Sequence, residues 1–274
     1  MSAPEPVLAV FAHPDDEVLC GAGTLALCGE RQRPVTLVCA TRGEHGPISD
    51  PALATRETLP QVREAELRAS CAALGIRDLR WLDLPDGDVS WSAEERGTLD
   101  ELVRMIRSLQ PRVLLTFGPD GLYGHIDHVA VGELVVEARR MAADPSFPSR
   151  TGASRRRDSG EREPAAYAVP RLFFSVMTEA FVREVARAVS EESGRPVRFW
   201  DIDPGSFLAR ESEITASVDV SSVLDRKLAA LRSHRTQLEA DHALRLISAE
   251  LAARHLSIEH FRCADGLPGD PVRG

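Results

Sequence analysis

The first residues that could do chemistry lie near the start of the chain, in the stretch FAHPDDEVLC that begins at Phe11. It places His13, Asp15, Asp16 and Glu17 directly after the apolar run VLAV. Imidazole and carboxylate groups are good ligands for a borderline metal ion such as Zn²⁺. The same acids could instead cap a helix, because helix N-termini favour Asp and Glu. On its own, this cluster leaves capping and metal binding equally open.

A second cluster favours the metal interpretation. The stretch GPDGLYGHIDHVAV follows the apolar run VLLTF and contains His125, Asp127 and His128. Both clusters follow a predicted strand and precede a predicted helix, and open α/β sheets bind ligands outside the carboxyl ends of their strands. A His, an Asp and a second His would supply three protein ligands and leave a fourth position open, as in a catalytic zinc site.

The elements that must position these clusters alternate along the chain. Short apolar and β-branched runs predict strands at residues 7–12, 35–41, 79–84, 113–117, 171–176 and 214–220. A helix is predicted from Ser92, with Glu95 completing a capping box, and another ends at Gly75. We therefore expect an α/β fold with a Rossmann-like, three-layer architecture, a mostly parallel central sheet and a small C-terminal α/β elaboration.

We interpret residues 1–274 as a single domain with two irregular segments. Residues 144–164 are rich in Pro, Ser, Gly and charge, which predicts a flexible surface loop. Residues 264–274 predict a flexible tail. Four further histidines are expected on late helices, without ligand spacing to either cluster: His234, His242, His255 and His260.

Composition narrows the partners and the compartment. The net charge of −9 and the pI of about 5.4 argue against a nucleic-acid or anionic-membrane partner. No apolar run approaches the roughly 20 residues of a membrane span, and no signal-peptide pattern is visible. Five cysteines form no CxxC pair, which fits a reducing compartment, so we expect a cytoplasmic protein. A homo-oligomer is as compatible with the sequence as a monomer.

At this point the sequence resembles the PIG-L/LmbE-like zinc-dependent N-deacetylases. The resemblance rests on AHPDDE and GHIDH in this order, and extends to TRGEHG, VREAELRASCAALGI, LPDGD and KLAALRSHRTQ. It covers about residues 7 to 237, apart from the 144–164 loop. Members include N-acetylglucosaminyl deacetylases and mycothiol-type deacetylases and amidases. The resemblance implies a hydrolase that removes an N-acetyl group from an N-acetylglucosamine-type conjugate, a small-molecule substrate, by attack of zinc-bound water.

The resemblance also implies roles for single residues. His13, Asp16 and His128 would bind Zn²⁺, with Fe²⁺ as the alternative ion. Asp15 would be the general base that takes a proton from the metal-bound water. Zn²⁺ can lower the pKa of such a water to about 7 and polarise the amide carbonyl, and a general base contributes roughly 10²–10⁴-fold.

Further roles follow from the same resemblance. His125 would stabilise the developing oxyanion, in its protonated form, or protonate the leaving amine, with Asp127 orienting it. Tyr123 matches a tyrosine used at the oxyanion, although it could simply be a packing residue. Three residues match positions that contact the sugar: Glu44, Arg63 and Asp86. The simpler alternatives are a loop cap for Glu44 and a surface pair of Arg63 with Glu66.

Two departures and two rival functions remain open. Ile126 occupies a position where the family commonly has Pro. Cys20 occupies about the position where some thiol-conjugate amidases of the family carry Lys. The first rival is an amidase that cleaves a larger amide, such as a thiol conjugate. The second is a non-catalytic metal- or nucleotide-binding module. GAGTLA at Gly21 fits a dinucleotide fingerprint by letter, but it lies within a predicted helix instead of at the strand-to-helix turn.

Overall fold

A computed structural model describes residues 5–147, 164–200 and 202–273. Within them, seven strands form one sheet: β1 (Val7–Phe11), β2 (Val35–Cys39), β3 (Asp78–Trp81), β4 (Val113–Phe117), β5 (Arg171–Val176), β6 (Ala216–Asp219) and β7 (Ile258–Cys263). Their order across the sheet is β3-β2-β1-β4-β5-β7-β6. The first five are mutually parallel, whereas β7 runs antiparallel to both β5 and β6.

Eleven helices connect the described strands: α1 (Asp16–Cys20), α2 (Ala22–Glu30), α3 (Leu59–Leu74), α4 (Val89–Arg96), α5 (Thr98–Leu109), α6 (Gly121–Gly124), α7 (Ile126–Ala143), α8 (Glu179–Ser193), α9 (Leu224–Ser233), α10 (Ala243–Leu246) and α11 (Ala249–His255). One group of helices packs together as α2, α3 and α9, and another as α4, α5 and α7. With helices on both sides of a mostly parallel sheet, the predicted fold class is confirmed. None of the described helices combines the length and apolarity needed to span a bilayer.

The central strands explain why the sheet needs two covering layers. Every residue of β1, β2 and β4 is buried, as expected for parallel strands covered on both faces. Among the helices that cover the sheet, α5 buries an apolar face that includes Leu102, Val103 and Ile106. Apolar strand faces and amphipathic helices therefore bury each other.

The strand order places the two motif clusters together. The chain runs from β1 outward through β2 to β3, and then returns to form β4 on the other side of β1. Neighbouring strands whose connections leave in opposite directions open a crevice at their carboxyl ends. His13 follows β1, and the segment after β4 leads to His125 and α7. This crevice is therefore where the histidines and acids of the two stretches can meet.

The helix predicted from Ser92 differs in the structure. It is divided into α4 and α5 by Gly97, whose φ is 67°. A positive φ at this glycine redirects the chain, which a periodicity pattern does not register. Ser92 lies inside α4, and its hydroxyl donates a hydrogen bond to Asp88 Oδ2 at 3.0 Å. The predicted capping box is therefore wrong.

The strand β7 was not predicted from the sequence, and the predicted position of His260 on a helix is wrong. Along β7 the buried positions are Glu259, Phe261 and Cys263. Because a charged residue occupies one of the buried positions, the apolar alternation of a strand is visible over only two residues. His260 lies on the other face, where its Nδ1 is 2.9 Å from Ser217 Oγ on β6.

The two irregular segments are only partly described. Residues 148–163 of the expected surface loop lie outside the described residues. Residues 264–273 contain turns and no helix or strand, yet they contact the body of the protein. Val272 is buried, and Arg33 Nη1 donates hydrogen bonds to the carbonyl oxygens of Pro271 and Val272 at 3.0 and 2.5 Å.

A buried ion pair joins β7 to α2 and α9. Glu259 Oε1 lies 2.8 Å from Lys227 Nζ. The Glu259 carboxylate also accepts hydrogen bonds from the backbone N–H groups of Gly23 and Thr24, each at 2.8 Å. Burial raises the pKa of Glu259, but the charge of Lys227 and these hydrogen bonds outweigh burial and lower that pKa below its usual value.

We expect Glu259→Gln to lower the free energy of unfolding by roughly 3–5 kcal/mol at neutral pH, because Lys227 would stay charged and buried without its partner. Glu250→Gln, which removes an exposed partner of Arg254, should change it little. Urea denaturation of both variants measures the loss in free energy of unfolding, and equal losses would contradict the expectation.

The same pair gives a pH dependence. Because the folded-state pKa of Glu259 is depressed, its contribution is present above the unfolded-state pKa of about 4.3 and is lost as pH falls through the folded-state pKa. The stability difference between the wild type and E259Q should therefore shrink below about pH 4. Denaturation curves between neutral and acid pH test this, and a constant difference would contradict it.

Candidate active site

Three side chains with metal-binding atoms converge at the carboxyl ends of β1 and β4. His13 Nδ1 lies 3.5 Å from Asp16 Oδ2, and His128 Nε2 lies 3.1 Å from Asp16 Oδ1. The two imidazole nitrogens are 3.3 Å apart. All three side chains are buried. Tetrahedral zinc with ligands at about 2.1 Å requires donor atoms roughly 3.4 Å apart, so this set could hold such an ion.

Backbone groups fix Asp16 in this arrangement. Its Oδ2 accepts hydrogen bonds from the N–H groups of Ala12 at 3.1 Å and His13 at 2.6 Å. Burial raises the pKa of Asp16, but the adjacent imidazoles of His128 and His13 outweigh burial and hold that pKa well below its usual range. Asp16 is therefore an ionised carboxylate at neutral pH, as a metal ligand must be.

The outer nitrogen of each imidazole is also engaged. His13 Nε2 lies 3.1 Å from Asp86 Oδ1 and 3.2 Å from Asp127 Oδ2, and His128 Nδ1 lies 3.2 Å from the carbonyl oxygen of Gly121. Metal-binding histidines usually donate their second N–H to a carboxylate or a carbonyl, which fixes the tautomer and the ring orientation. Here this pattern leaves His13 Nδ1 and His128 Nε2 as the nitrogens that can bind a metal.

Other donor sets overlap this one at His13. Two further groups of described residues have ligand atoms within 4.8 Å of one another: His13, His125 and His128, and His13, Asp86 and Asp127. The carboxylates of the second group face Nε2 of His13, away from Asp16. The geometry therefore favours Asp86 and Asp127 as partners of the imidazole instead of the metal.

Asp15 lies beside the donor set in a strained backbone conformation. Its φ is 118°, which a non-glycine residue rarely adopts. Asp15 Oδ2 lies 3.2 Å from Arg63 Nη2, and its backbone N–H donates to Glu17 Oε2 at 3.1 Å. Burial raises the pKa of Asp15 to about 6, with Arg63 opposing the shift and Asp16 adding to it. A carboxylate with this pKa is suited to accept a proton near neutral pH.

His125 is the N-cap residue of α7, and this position fixes its tautomer. Its Nδ1 accepts a hydrogen bond from the backbone N–H of Asp127 at 3.2 Å, so a neutral ring carries its proton on Nε2. Burial lowers the pKa of His125 to about 4, and the neighbouring His13 and His128 add to the shift. The ring is therefore neutral at neutral pH, which differs from the protonated form expected from the sequence.

The carboxylate of Asp127 contacts His13, whereas the sequence prediction gave it the task of orienting His125. Besides His13 Nε2, the carboxylate accepts hydrogen bonds from the backbone N–H groups of Gly87 at 2.7 Å and Val89 at 3.2 Å. Asp127 contacts the His125 ring through its backbone N–H. The motif spacing brings Asp127 to the site, but the loop after β3 determines which imidazole it contacts.

Arg63 is buried and lines the cavity, so it is not a surface residue paired with Glu66. Its Nη1 donates to the carbonyl oxygen of Gly43 at 2.8 Å, and its Nη2 donates to that of Pro14 at 2.5 Å. Glu66 is also buried and accepts hydrogen bonds from Thr236 instead. Arg63 therefore connects the turn after β1 to the turn after β2, next to Asp15.

The remaining predicted residues differ in their access to the cavity. Asp86 lines it, and Asp86 Oδ2 accepts a hydrogen bond from the backbone N–H of His45 at 2.8 Å. Glu44 is not among the lining residues, and its Oε1 accepts from the backbone N–H of Asp86 at 2.9 Å. Tyr123 also lines the cavity, and its ring packs edge-on against His128 with centroids 5.1 Å apart.

The cavity has a volume of about 430 Å³. The His and Asp cluster forms part of its wall, and several lining residues were not assigned from the sequence: Leu19, His45, Pro47, Trp200, Ile202 and Gln237. His45 and Gln237 belong to TRGEHG and KLAALRSHRTQ, two of the stretches that carry the family resemblance. Trp200 and Ile202 come from a segment with no such motif, so nothing in the sequence indicated them.

The chain is similar to known deacetylases over nearly its whole length. Residues 8–139 match the PIG-L family model, described as GlcNAc-PI de-N-acetylase. A 1D-myo-inositol 2-acetamido-2-deoxy-alpha-D-glucopyranoside deacetylase from Thermobispora bispora is 32% identical over 288 residues, covering 98% of this chain and 91% of the relative.

Two solved structures share the fold. N,N'-diacetylchitobiose deacetylase from Pyrococcus horikoshii has a TM-score of 0.64 at 23% identity, covering 96% of this chain and 84% of that one. The 4-carboxy-2-hydroxymuconate hydratase GalB from Pseudomonas putida has a TM-score of 0.65 at 20% identity, covering 95% and 96%. A deacetylase and a hydratase on one fold show that the fold alone does not define the reaction. The identity with the Thermobispora relative along almost the entire sequence shows that this chain belongs to the PIG-L family of N-deacetylases.

Proposed function

We propose that the chain is a Zn²⁺-dependent hydrolase that removes the N-acetyl group from an N-acetylglucosamine-type amino-sugar conjugate and releases acetate and a free amine. The observation that carries this proposal is the convergence of His13, Asp16 and His128 beside Asp15 on the wall of one cavity. The name of the Thermobispora relative, a deacetylase of an inositol-linked acetamido sugar, supports the substrate class.

His13 Nδ1, Asp16 and His128 Nε2 would hold the ion. Two imidazoles and one carboxylate suit Zn²⁺, and the same donor set also occurs with Fe²⁺, which remains the alternative. A divalent ion bound here would supply an acidified water as nucleophile and a Lewis acid for the amide carbonyl oxygen. Asp86 and Asp127 keep His13 oriented through its Nε2.

Asp15 would take the proton from the attacking water and pass it to the leaving nitrogen. With a pKa of about 6, its carboxylate is mainly ionised at neutral pH, yet basic enough to accept that proton. His125 would donate its Nε2–H to the oxygen that gains negative charge, and Tyr123 lines the same cavity. A neutral His125 is a hydrogen-bond donor in this role, not a source of positive charge.

Asp86 and Arg63 would contact the sugar, because both line the cavity. Glu44 would act through Asp86, whose backbone N–H it binds. The guanidinium of Arg63 already binds two carbonyl oxygens and Asp15, so it would also keep Asp15 in place. We further propose a cytoplasmic location, which the buried, unpaired state of all five cysteines supports.

The two rival functions are weaker. The structure places Gly21 between α1 and α2, and Gly23 inside α2 against Val220, so GAGTLA does not form a phosphate-binding turn after β1. Asp15 and His125 lie outside the proposed ligand set of His13, Asp16 and His128, which argues against a module that only binds metal. An amidase for larger amides would use the same residues, and only the substrate distinguishes it.

Loss of a ligand and loss of the base should have different effects. We expect His13→Ala to lose both bound metal and acetate release. Asp15→Asn should keep the metal but lower kcat by roughly 10²–10⁴-fold, because the proton acceptor is removed. Metal analysis and acetate assays of the purified proteins measure both. Asp50→Asn, an exposed acid outside the cavity, is the control, and metal-loaded Asp15→Asn with wild-type kcat would refute the role of Asp15.

Asp127 should affect metal affinity without being a ligand. We expect Asp127→Asn to weaken metal binding by roughly 10–100-fold, because His13 Nε2 loses a charged partner. Competition with a chromogenic chelator measures the affinity. Asp88→Asn is the control, because its side chain accepts from Ser92 within α4. Equal affinities for these two variants would contradict the role of Asp127.

The acyl group separates the two hydrolase functions. We expect amine release from 1D-myo-inositol 2-acetamido-2-deoxy-α-D-glucopyranoside or another N-acetylglucosaminyl conjugate to exceed release from the same conjugates that carry a larger acyl group. Amine labelling at equal substrate concentrations gives kcat/KM for each. Faster cleavage of the larger amide would favour the amidase, and no cleavage of either by metal-loaded protein would refute the proposed hydrolase.

A further inference from the structure

A buried polar cluster lies behind Asp15 and takes no part in the proposed chemistry. It consists of Glu17 on α1, Ser70 on α3 and His234 directly after α9, each at most 1% exposed. Glu17 Oε1 accepts a hydrogen bond from Ser70 Oγ at 2.5 Å and lies 2.6 Å from His234 Nε2. Glu17 Oε2 accepts the backbone N–H of Asp15 at 3.1 Å. The cluster therefore touches the proposed base through its backbone.

We propose that His234, acting through Glu17, is a positioning residue for Asp15. The inference rests on the proposed function, in which Asp15 is the general base. His234 is not among the residues that line the cavity, so it acts on catalysis only through the residues it holds.

The backbone of Asp15 is the part that needs support. A φ of 118° is a conformation that a non-glycine residue keeps only where its surroundings enforce it. The hydrogen bond from the Asp15 N–H to Glu17 is one such constraint, and Glu17 is fixed in turn by His234 and Ser70. Without His234, the Glu17 carboxylate would keep one side-chain donor, Ser70, and could turn away from the Asp15 N–H.

The environment of His234 indicates that contact with Glu17 is its main polar interaction. Its Nδ1 is buried and has no hydrogen-bond partner among the described residues. Burial lowers the pKa of His234, but the nearby Glu17 carboxylate, followed by Asp15 and Glu66, outweighs burial and raises it overall. The three acids around the imidazole thus favour its contact with the Glu17 carboxylate.

The residues after His234 fix the other support of Asp15. Thr236 donates to Glu66 from its backbone N–H at 2.8 Å and from its hydroxyl at 2.6 Å. Glu66 lies one turn after Arg63 on α3, and Arg63 pairs with Asp15. A single C-terminal segment therefore fixes Glu17 directly and the helix that carries Arg63, so both contacts of Asp15 depend on it.

The first test compares steady-state kinetics of metal-loaded variants on an N-acetylglucosaminyl substrate that the wild type hydrolyses. We expect His234→Ala to lower kcat by roughly 10- to 100-fold, because a misplaced catalytic group costs about this much. KM should stay within about twofold, and metal content unchanged, because His234 touches neither cavity nor ligands. His234→Gln, whose amide N–H can still donate to Glu17, should recover part of kcat.

Lys227→Met is the matched control. Lys227 is a buried cation on the helix that leads into His234, but it pairs with Glu259. The Lys227→Met variant should be less stable than the wild type, but its folded protein should keep the wild-type kcat. Ser70→Ala, a milder change at Glu17, should lower kcat in the same direction if His234→Ala folds poorly. If His234→Ala folds, a wild-type kcat in this variant would overturn the proposal. If it does not fold, a wild-type kcat in both Ser70→Ala and His234→Gln would do so.

A second readout does not need turnover. In the ¹⁵N–¹H spectrum of metal-free protein, the Asp15 amide proton should resonate downfield because it is bonded to a carboxylate. It should move upfield in His234→Ala and stay in place in Lys227→Met. An unmoved Asp15 amide in His234→Ala would overturn the positioning role, even if the wild type proved inactive on acetylated sugars and the proposed function failed.

Discussion

Three carboxylates contact one buried imidazole, a fourth lies nearby, and the rest of the site depends on compensating their charge. Asp16 faces Nδ1 of His13, Asp86 and Asp127 face its Nε2, and Asp15 lies on the same wall. Buried charges are unfavourable unless they are paired or coordinate a metal. A divalent cation between His13, Asp16 and His128 would supply the missing positive charge. An affinity for a metal would thus follow from the way the chain concentrates its acids.

The fold supports these acids mainly with backbone N–H groups. Asp16 accepts from the chain that leaves β1, Asp127 from the loop after β3, and Asp86 from the loop after β2. Backbone donors lose no side-chain entropy on binding, and they move only if the chain moves. The switch point between β1 and β4 brings three such loops to one place, which explains why the site lies there and why it is preorganised before substrate arrives.

The sequence predicted those parts of the site that depend on local pattern. The apolar runs before His13 and His128 are buried strands, and adjacent parallel strands bring their carboxyl ends together, so the meeting of these histidines with Asp16 could be foreseen. The partner of Asp127 could not, because it depends on where the loop after β3 folds. The contact of His234 with Glu17 spans 217 positions, and no periodicity encodes a pairing at that distance. The strand β7 was missed for a related reason. The charged Glu259 interrupts its apolar alternation, and the burial of Glu259 is explained only by its partner Lys227.

Asp15 and Asp16 are neighbours in sequence with opposite environments. Asp16 accepts hydrogen bonds from two backbone N–H groups and lies between two imidazoles, and the imidazoles hold its pKa low. Burial, in contrast, raises the pKa of Asp15 to about 6. Two acids that differ in this way can act as a ligand and as a base. Consecutive residues in ordinary helical geometry would share one environment more closely. The positive φ of Asp15 directs its carboxylate towards Arg63 while Asp16 faces the imidazoles. The two roles proposed for them therefore depend on a strained backbone, and such strain persists only where buried neighbours such as Glu17 hold it.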